Sequence, residues 1–455
     1  MQLDVPFTIS NPWAFTKYGV PLRCSVPLPE RAVHDPTAEL CLSDESGRDV
    51  GAQWRVLSRR RDGSVRFALM DYAAAELPGR ESLRLRLRPR TEASAEPAEP
   101  QARVSLRRSA DLLTVDTGRL AWTFCTQRFS FAESVRFAGR EWIGDETSDL
   151  LLRDDAGQIY RASEGDYSIS VEEPGPWRVV VLIRGTYRSP LRKFMDYWMR
   201  FHFVAGGSQV LMMHHLRNRE PGREGRDIRR SALIGGLALQ GEVTHRLLHT
   251  ARTVGTIQVP IEVPENVDID VGEWEIGLRN EASLREDPND ICWSLKHGKQ
   301  LHTNRRCAPL VDLYERGAGG MLLKLAMPHP EREFPMRLGA DRARFEIDFF
   351  PDTGEPYHLN EGMGKTRDVL IHFHDDALSP MDLIHDSDNV SYPGVVGVPH
   401  EVYRQAEFAD VHLTLVKQPN KYPLLERKIA FMKCPGDIQN KQAIKSHPLL
   451  GECRG

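Results

Sequence analysis

The sequence has 455 residues, of which 40% are hydrophobic and 27% are charged; these values are typical of globular proteins rather than of disordered, collagenous or membrane chains. Its 60 basic and 64 acidic residues give a formal net charge of -4, without a basic field for nucleic acid or an acidic tail for a cationic partner. This length exceeds what one hydrophobic core organises, so we expect two or three domains of about 100 to 250 residues.

The amino terminus, MQLDVPFTISNPW, has neither the basic segment nor the apolar run of a secretory signal, so a cytoplasmic location is expected. No apolar run approaches the roughly 20 residues that cross a bilayer, which argues against a membrane helix. The seven cysteines are an odd number and form no CxxC or CxxH pair, which favours free thiols over disulfides or zinc. Nothing in the sequence calls for a cofactor.

Alternation of apolar and polar residues with a period of two dominates the chain. It is clearest in SLRLRLR at 82–88, where leucines and arginines take opposite faces of a half-buried strand. Turn signals, such as Asp62-Gly63 and the EPGP stretch at 173–176, separate the strands and favour an antiparallel sandwich or barrel over βαβ units. Similar patterns recur at 64–71, 177–185, 197–203, 344–350, 368–374 and 410–417.

Composition changes predict the domain boundaries. The stretch PRTEASAEPAEPQAR at 89–103 replaces hydrophobic residues with Pro, Ala and Glu and is predicted to be a linker. Only the tail has helical spacing, in PLLERKIAFM at 423–432. The predicted fold is therefore all-β, with a small barrel at 1–103, a large antiparallel β-sandwich at 104–420 and a helical or irregular tail at 421–455.

A first polar cluster lies on two consecutive predicted strands. In MMHHLRNRE at 212–220, alternation places His215 and Arg217 on one face and His214 on the other. On the preceding strand, Trp198, Arg200 and His202 share a face, and an aromatic ring beside cationic groups suits a sugar platform. Both groups have a plainer alternative, a solvent-exposed strand end or a polar sheet face covered by a loop.

Two further clusters come later in the chain. His372 and His374 in LIHFHDD could chelate zinc or manganese, but the sequence offers no third ligand, so no metal site is assigned. Arg305 and Arg306 in LHTNRRCAP form a loop-like polar stretch that could bind a carboxylate bidentately. A hydrogen-bonded polar face is the alternative for the histidines, and a solvated charge run is the alternative for the arginines.

Ordered motifs link the chain to a known family. YGVPLRCSVPL at 18–28, LSDESGRDVGAQ at 42–53 and DGSVRFAL at 62–69 resemble the opening barrel of the exo-rhamnogalacturonan lyase (YetA-like) family. The resemblance implies an N-terminal RIFT-like β-barrel and a central β-sandwich. In full-length members a helical toroid follows the sandwich and forms the sugar-binding cleft with it, and the sequence shows no such toroid. The resemblance to the central sandwich is carried by TVDTGRL at 114–120, EEPGPWR at 172–178, RFHFVAGGS at 200–208 and EGMGKT at 361–366.

The resemblance implies β-elimination on a uronate-containing glycan such as rhamnogalacturonan. A lyase of this kind must neutralise the uronate carboxylate, remove the proton at C5 and protonate the leaving oxygen. We predict that Arg217 or Arg200 neutralises the carboxylate and that His215 accepts the proton, with Lys365 of the family motif in support. The residues predicted to bind substrate are Trp198, His202, Arg305, Arg306, His372 and His374.

Other functions remain open at this point. The chain could be a non-catalytic glycan-binding or scaffold protein that keeps only the two β domains. It could also be a subunit that needs a helical partner to complete its cleft, or it could form a homo-oligomer.

Overall fold

The computed structural model describes residues 3–11, 13, 15–90, 103–144, 148–219, 225–249, 265–269, 274–280, 291–297, 300–305, 310–325, 336–341, 343–391, 394–397 and 402. Within these ranges the chain is built almost entirely from antiparallel strands, which confirms the predicted all-β class. The N-terminal elements are β1 (Val5–Ser10), β2 (Lys17–Pro27), α1 (Pro36–Glu39), β3 (Leu40–Ser43), β4 (Gln53–Arg59), β5 (Val65–Leu77) and β6 (Ser82–Pro89).

These N-terminal strands form two small sheets that enclose their own core. In β6 the leucines at 85 and 87 are buried and the arginines at 84, 86 and 88 are exposed, as the alternating sequence predicts. β1 pairs with β6 and buries Val5, Phe7 and Ile9. The predicted turn at Asp62-Gly63 joins β4 to β5: Gly63 has a φ of +84°, and Asp62 accepts hydrogen bonds from the backbone and hydroxyl of Ser64.

The strands from residue 105 onward form a five-stranded sheet (β7 to β11) and a large continuous sheet (β12 to β29). The first group is β7 (Ser105–Arg108), β8 (Leu112–Asp116), β9 (Leu120–Cys125), β10 (Ser134–Phe137), β11 (Arg140–Glu141), β12 (Asp149–Asp154), β13 (Ile159–Arg161), β14 (Tyr167–Pro174), β15 (Arg178–Arg188), β16 (Lys193–Val204), β17 (Gln209–Arg217), β18 (Arg226–Gly236) and β19 (Val243–His249). The second group is β20 (Glu265–Ile269), β21 (Trp274–Asn280), β22 (Ile291–His297), β23 (Gln300–Arg305), β24 (Leu310–Glu315), β25 (Gly319–Leu325), β26 (Met336–Asp341), β27 (Arg344–Phe350), β28 (Tyr357–Leu359) and β29 (Gly364–His374).

Aromatic side chains hold the two sheets of the sandwich together. Trp122 on β9 is fully buried and contacts Phe131 and Phe201, with ring centroids 4.9 and 5.7 Å away. Phe201 belongs to β16, whose alternate residues Tyr197, Met199 and Phe203 are also buried in this core. The core therefore fixes β16 so that its other face points away from the small sheet.

A helix that the sequence prediction missed follows β29. α2 (Pro380–Ser391) lies within the segment where no helix was expected, so the expectation that only the tail is helical was wrong. Its start has a capping box: Ser379 accepts from the backbone N–H of Asp382, and the Asp382 carboxylate accepts from that of Ser379. Neither helix in the described ranges is long and apolar enough to cross a membrane.

After α2 the chain returns to the N-terminal strands. β30 (Val395–Gly397) pairs with β1, and Val402 packs into the N-terminal core. Residues 394–402 were predicted to belong to the sandwich, so this contact was not anticipated. Residues 91–102 of the predicted linker at 89–103 lie outside the described residues, as do the predicted strand at 410–417 and the tail at 421–455.

Candidate functional site

One face of the large sheet carries most of the predicted site residues. The registers of β15, β16, β17 and β29 align their outward side chains in rows across the strands, because successive residues alternate between the two faces. We call this surface the candidate face. Its rows are Thr186–Asp196–Arg217–Gly364, then Arg184–Trp198–His215–Thr366, then Leu182–Arg200–Met213–Asp368, then Val180–His202–Leu211–Leu370.

Trp198, His215 and Arg217 form the centre of the candidate face. The rings of Trp198 and His215 are stacked, with 4.7 Å between centroids and 8° between their planes. The guanidinium carbon of Arg217 lies 5.8 Å from the centre of the Trp198 ring, within the range of a cation–π contact. The structure therefore brings together the aromatic platform, the imidazole and the cation that the sequence predicted for this face.

The imidazole of His215 is held in a neutral form. Its Nδ1 lies 2.8 Å from the Thr366 hydroxyl, and its Nε2 lies next to the backbone of Gly364. Partial burial lowers the pKa of His215, and the nearby Arg217 and Arg200 cations lower it further. When Nδ1–H donates to the Thr366 oxygen, Nε2 keeps its lone pair and can accept a proton at neutral pH.

The arginines of the face differ in whether a carboxylate already pairs with them. Arg200 makes two hydrogen bonds of 2.7 and 3.0 Å to the Glu172 carboxylate, which lowers the pKa of Glu172. Arg219 pairs with Asp196 at 2.9 Å. No carboxylate pairs with Arg217 among the residues that the structure describes. Arg217 rather than Arg200 is therefore the cation available to an anionic ligand.

His202 lies at the end of the face next to the N-terminal strands. Burial lowers its pKa to about 3, assisted by Arg178, Arg23 and Arg200, and its Nε2 has no hydrogen-bond partner among the described residues. His202 is thus a neutral, largely buried group. Little of its side-chain surface is accessible for the predicted contact with substrate.

A buried ionic cluster fixes the N-terminal strands to this end of the face. Asp71 on β5 accepts hydrogen bonds from Arg23 and Arg178, each at 2.8 Å from Oδ1. Gln53 on β4 donates to the carbonyl of Arg178 at 3.0 Å and accepts from the backbone N–H groups of Trp177 and Arg178. The small N-terminal domain thus positions the start of β15, and with it one edge of the candidate face.

The structure corrects the substrate-binding prediction for His372 and His374. Both side chains are buried, because Leu383 and Ile384 of α2 pack against Leu322 in the row that contains His372. The Nε2 atom of His374 lies 2.9 Å from Asp312 Oδ1, so its role is structural. In the part of the chain that the structure describes, no three His, Cys, Asp or Glu residues gather in a way that could hold a metal ion.

Lys365 and Arg305 do not belong to the candidate face. Lys365 pairs with Leu216 in the register of β29 and β17, so alternation places it on the opposite face from His215. Arg305 is the last residue of β23, where a loop was predicted, and Arg306 lies outside the described residues. The supporting role predicted for Lys365 is therefore corrected.

Sequence reasoning overlooked Thr366, Glu172 and Asp368. Asp368 is half-buried in the row of Arg200 and Met213, and its Oδ1 is buried without a hydrogen-bond partner among the described residues. Burial raises the pKa of this carboxyl group, while Arg367 opposes the shift. For Thr366 and Asp368, the only sequence signal was a polar residue at alternate positions of β29. That β29 pairs with β17 is known only from the strand register in the structure.

A cavity lies away from the candidate face. An open cavity of about 650 Å³ is lined by residues of β11 and β24, among them Arg140, Glu141 and Glu315. Arg140 and Glu315 are paired at 2.6 Å, and the Glu141 carboxylate accepts from the backbone N–H of Val135. Because each of these groups already has a partner, the cavity offers less for catalysis than the candidate face does.

The family comparison covers the strands that build most of the candidate face. Residues 104–243 match the PcRGLX-like protein central beta sandwich domain. This segment of the chain is similar to the central sandwich of the PcRGLX-like family. The predicted family resemblance is thereby confirmed for this domain, which contains β15, β16 and β17. The PcRGLX-like match ends before β29, which supplies Thr366 and Asp368.

Similarity to solved structures is remote. A glycosyl hydrolase family 38 protein from Enterococcus faecalis has 9% identity and a TM-score of 0.49, over 87% of this chain and 47% of its own. An alpha-mannosidase from Enterococcus faecalis V583 has 10% identity and a TM-score of 0.45, over 87% and 46%. A galactose mutarotase-like protein from Lactobacillus casei has 11% identity and a TM-score of 0.33, over 58% and 100%.

The chain spans about half the length of the first two structures. No curated protein matches it.

Proposed function

We propose that this chain is a carbohydrate-active protein that binds a uronate-containing glycan on the candidate face and cleaves it by β-elimination. Rhamnogalacturonan is the substrate class suggested by the family of its central sandwich. The observation that supports the proposal is a neutral His215 imidazole, held flat on Trp198 beside an Arg217 whose charge no described carboxylate matches. A base and a cation side by side are what abstraction of a proton next to a carboxylate requires.

Each of these groups has one role in the proposed reaction. Arg217 binds the uronate carboxylate, which makes the C5 proton more acidic because the negative charge that develops at C5 is stabilised. His215 Nε2 removes that proton. Trp198 holds the imidazole in place and gives the sugar an apolar surface at the same position. Thr366 orients the ring through its hydrogen bond to Nδ1.

Arg200 is proposed to act on His215 rather than on the substrate. Its two hydrogen bonds to Glu172 fix a positive charge in the row next to His215. That charge contributes to the lowered pKa of the imidazole. The pair thus favours the neutral base without using Arg200 as the carboxylate ligand.

Product formation tests the proposal. The purified protein, incubated with rhamnogalacturonan, polygalacturonate and other uronate-containing glycans, should generate an unsaturated uronate that absorbs in the ultraviolet. The variant His215→Gln should lose about 100-fold or more of this rate. His358→Gln is the matched control, because His358 is exposed and bonded to Asp227 away from the candidate face. Absence of unsaturated product from all substrates would contradict the proposal.

Glycan binding without cleavage is the second candidate. It is favoured by how firmly His215 is fixed, since its ring is stacked on Trp198 and its Nδ1 is bonded to Thr366. Rigid aromatic and polar groups of this kind also suit recognition alone. Calorimetric binding of a uronate oligosaccharide that is recovered intact, with weaker affinity for His215→Gln, would favour this second function.

A further inference from the structure

Two arginines of β15 lie on the candidate face and take no part in the roles given above. Arg184 and Arg188 are both exposed, and we call them the β15 arginines. Arg184 lies in the row of Trp198 and His215, and alternation places Arg188 two rows further along the same face. In the described part of the chain, no carboxylate forms an ion pair with either of them.

The acids around the β15 arginines are already paired with other cations. Arg184 contributes to the lowered pKa of Glu172, but both oxygens of that carboxylate are bonded to Arg200. The remaining pairs are Asp196 with Arg219, Asp166 with Lys193 and Asp149 with Arg161. The β15 arginines therefore carry positive charge that the surrounding described acids do not match.

Arg188 lies in a row of three cations. Its direct cross-strand partners are Arg161 on β13 and Lys193 on β16. Like charges directly opposite one another destabilise a sheet. Asp149 and Asp166 pair with the two outer cations and leave Arg188 between them. An anion bound at Arg188 would offset the repulsion within this row.

Small neighbours leave Arg184 accessible. Its partner on β14 is Ser168, whose hydroxyl donates to the Arg184 carbonyl at 3.4 Å. Ser168 and Ser170 are exposed, and both are too short to cover a guanidinium group. On the other side of Arg184 lies Trp198, the proposed platform for the sugar. A glycan that crosses the indole towards β15 therefore meets a second cation there.

The spacing of Arg217 and the β15 arginines suits separate carboxylates. Arg184 and Arg188 lie one row to either side of Arg217 and two strands away, so each Cα is about 12 Å from that of Arg217. The two β15 arginines are about 13 Å apart along their strand. Side chains stand roughly perpendicular to a sheet, so the guanidinium groups keep about these separations. One carboxylate does not span such gaps, whereas the acidic residues of one glycan chain do.

We propose that the β15 arginines bind carboxylates of the glycan residues that neighbour the uronate at His215. The candidate face then takes glycans with several acidic residues in preference to a single uronate among neutral sugars. Each guanidinium group can donate two parallel N–H groups to a carboxylate. This inference rests on the proposed function for the first carboxylate at Arg217, and it adds the sites for further ones.

Calorimetry with two matched ligands tests the proposal. One is a galacturonate hexasaccharide, and the other is the same hexasaccharide with every carboxyl group but one methyl-esterified. The variants Arg184→Gln and Arg188→Gln are made in a His215→Gln background, which keeps the ligands intact. Each should weaken binding of the fully acidic ligand by about 3- to 10-fold and leave binding of the other unchanged. The control Arg136→Gln, at an exposed arginine of β10, should alter neither.

Salt and heat give two further signs of a binding role. Binding of the fully acidic ligand should weaken more steeply with added NaCl than binding of its partner, because exposed charge pairs are screened. Replacing both β15 arginines should make the two salt dependences alike. Arg188→Gln should unfold at the same or a higher temperature than its parent, since the substitution removes repulsion within the row. A lower unfolding temperature would show that Arg188 supports the fold instead.

The outcomes separate this inference from the proposed function. If the wild-type protein neither binds nor cleaves either ligand, both proposals are contradicted. If the wild type cleaves and neither arginine variant weakens binding of the fully acidic ligand, only this inference is wrong. An equal loss on both ligands would also contradict it, because the β15 arginines would then share the carboxylate held by Arg217. The expected binding pattern without any unsaturated product would support this inference and contradict cleavage.

Discussion

The imidazole of His215 lies flat against the indole of Trp198, with 4.7 Å between ring centroids and 8° between their planes. The two residues are direct cross-strand partners on β16 and β17, so the sheet register itself creates the contact. Arg217 and Thr366 flank the pair. A ligand bound at His215 would therefore lie close to the tryptophan and the arginine.

Replacement of Trp198 should weaken sugar binding and loosen the base. Trp198→Ala removes the stacked partner of His215, and such aromatic contacts contribute about 0.5 to 1.5 kcal/mol beyond area burial. We expect KM for a uronate oligosaccharide to rise by about 2- to 12-fold and kcat to fall as well. Steady-state kinetics check this. Tyr18→Ala, at an exposed aromatic residue, is the control, and an unchanged KM in Trp198→Ala would show that the indole does not contact the sugar.

A methyl group at residue 364 should displace the proposed base. A Cβ added to Gly364 would lie 2.5 Å from His215 Nε2, well inside van der Waals contact, so Gly364→Ala must shift the imidazole. We expect a fall of about tenfold or more in elimination rate, since misplacement of a reacting group by about 1 Å has effects up to 100-fold. In the control Gly397→Ala, the added Cβ makes only an ordinary contact of 3.5 Å. Wild-type activity in Gly364→Ala would show that the position of Nε2 is unimportant.

Gln53 should contribute to the attachment of the two domains. Its side-chain amide satisfies the carbonyl of Arg178 and the N–H groups of Trp177 and Arg178. Gln53→Ala leaves these backbone groups without their partner, and an unmet buried polar group costs about 1 to 3 kcal/mol. Urea unfolding should show a loss of that size, whereas the exposed-site variant Gln127→Ala should show almost none. No change in Gln53→Ala would mean that water replaces the amide.

Acid should destabilise the fold through buried histidines. Burial lowers the pKa of His202, His214 and His372 to about 3, whereas an unfolded histidine titrates near 6.5. Between these values the unfolded chain binds more protons than the folded one, so the free energy of unfolding decreases as pH falls from 6.5 towards 3. Above pH 6.5 this contribution to stability is fully present.

His214 is the histidine best suited to test this pH dependence, because it is fully buried and stacked on Phe349 at 3.9 Å. Replacement by Gln removes its titration. The loss of unfolding free energy between pH 7 and 4.5 should then shrink by about 1 to 3 kcal/mol relative to wild type. Urea titrations at the two pH values measure this, with His34→Gln as the exposed control. An unaltered pH dependence in His214→Gln would contradict the assignment.

Strand alternation made much of the candidate face predictable. It placed Trp198, Arg200 and His202 on one face of β16, and it separated His215 from the buried His214. These assignments depend only on residue spacing within a strand, which the sequence states directly. The turn at Asp62-Gly63 was predictable for the same local reason.

Contacts between distant segments were not predictable. Thr366 is 151 residues from His215, and no local pattern shows that β29 pairs with β17 or in which register. The same lack of register led to the incorrect grouping of Lys365 with His215. His372 and His374 looked accessible because nothing in their strand reveals that α2 lies over them. The Ser379 to Asp382 capping box, in contrast, was a local signal of α2 that was overlooked.

The masses of the products test the central claim most directly. If His215 and Arg217 support β-elimination, the masses of the two products from a uronate oligosaccharide will sum to the mass of the substrate, and one product will carry the C4–C5 double bond. A reaction in water enriched in oxygen-18 will leave both products unlabelled. Products that together exceed the substrate by one water molecule, with oxygen-18 incorporated, would show hydrolysis and contradict the account.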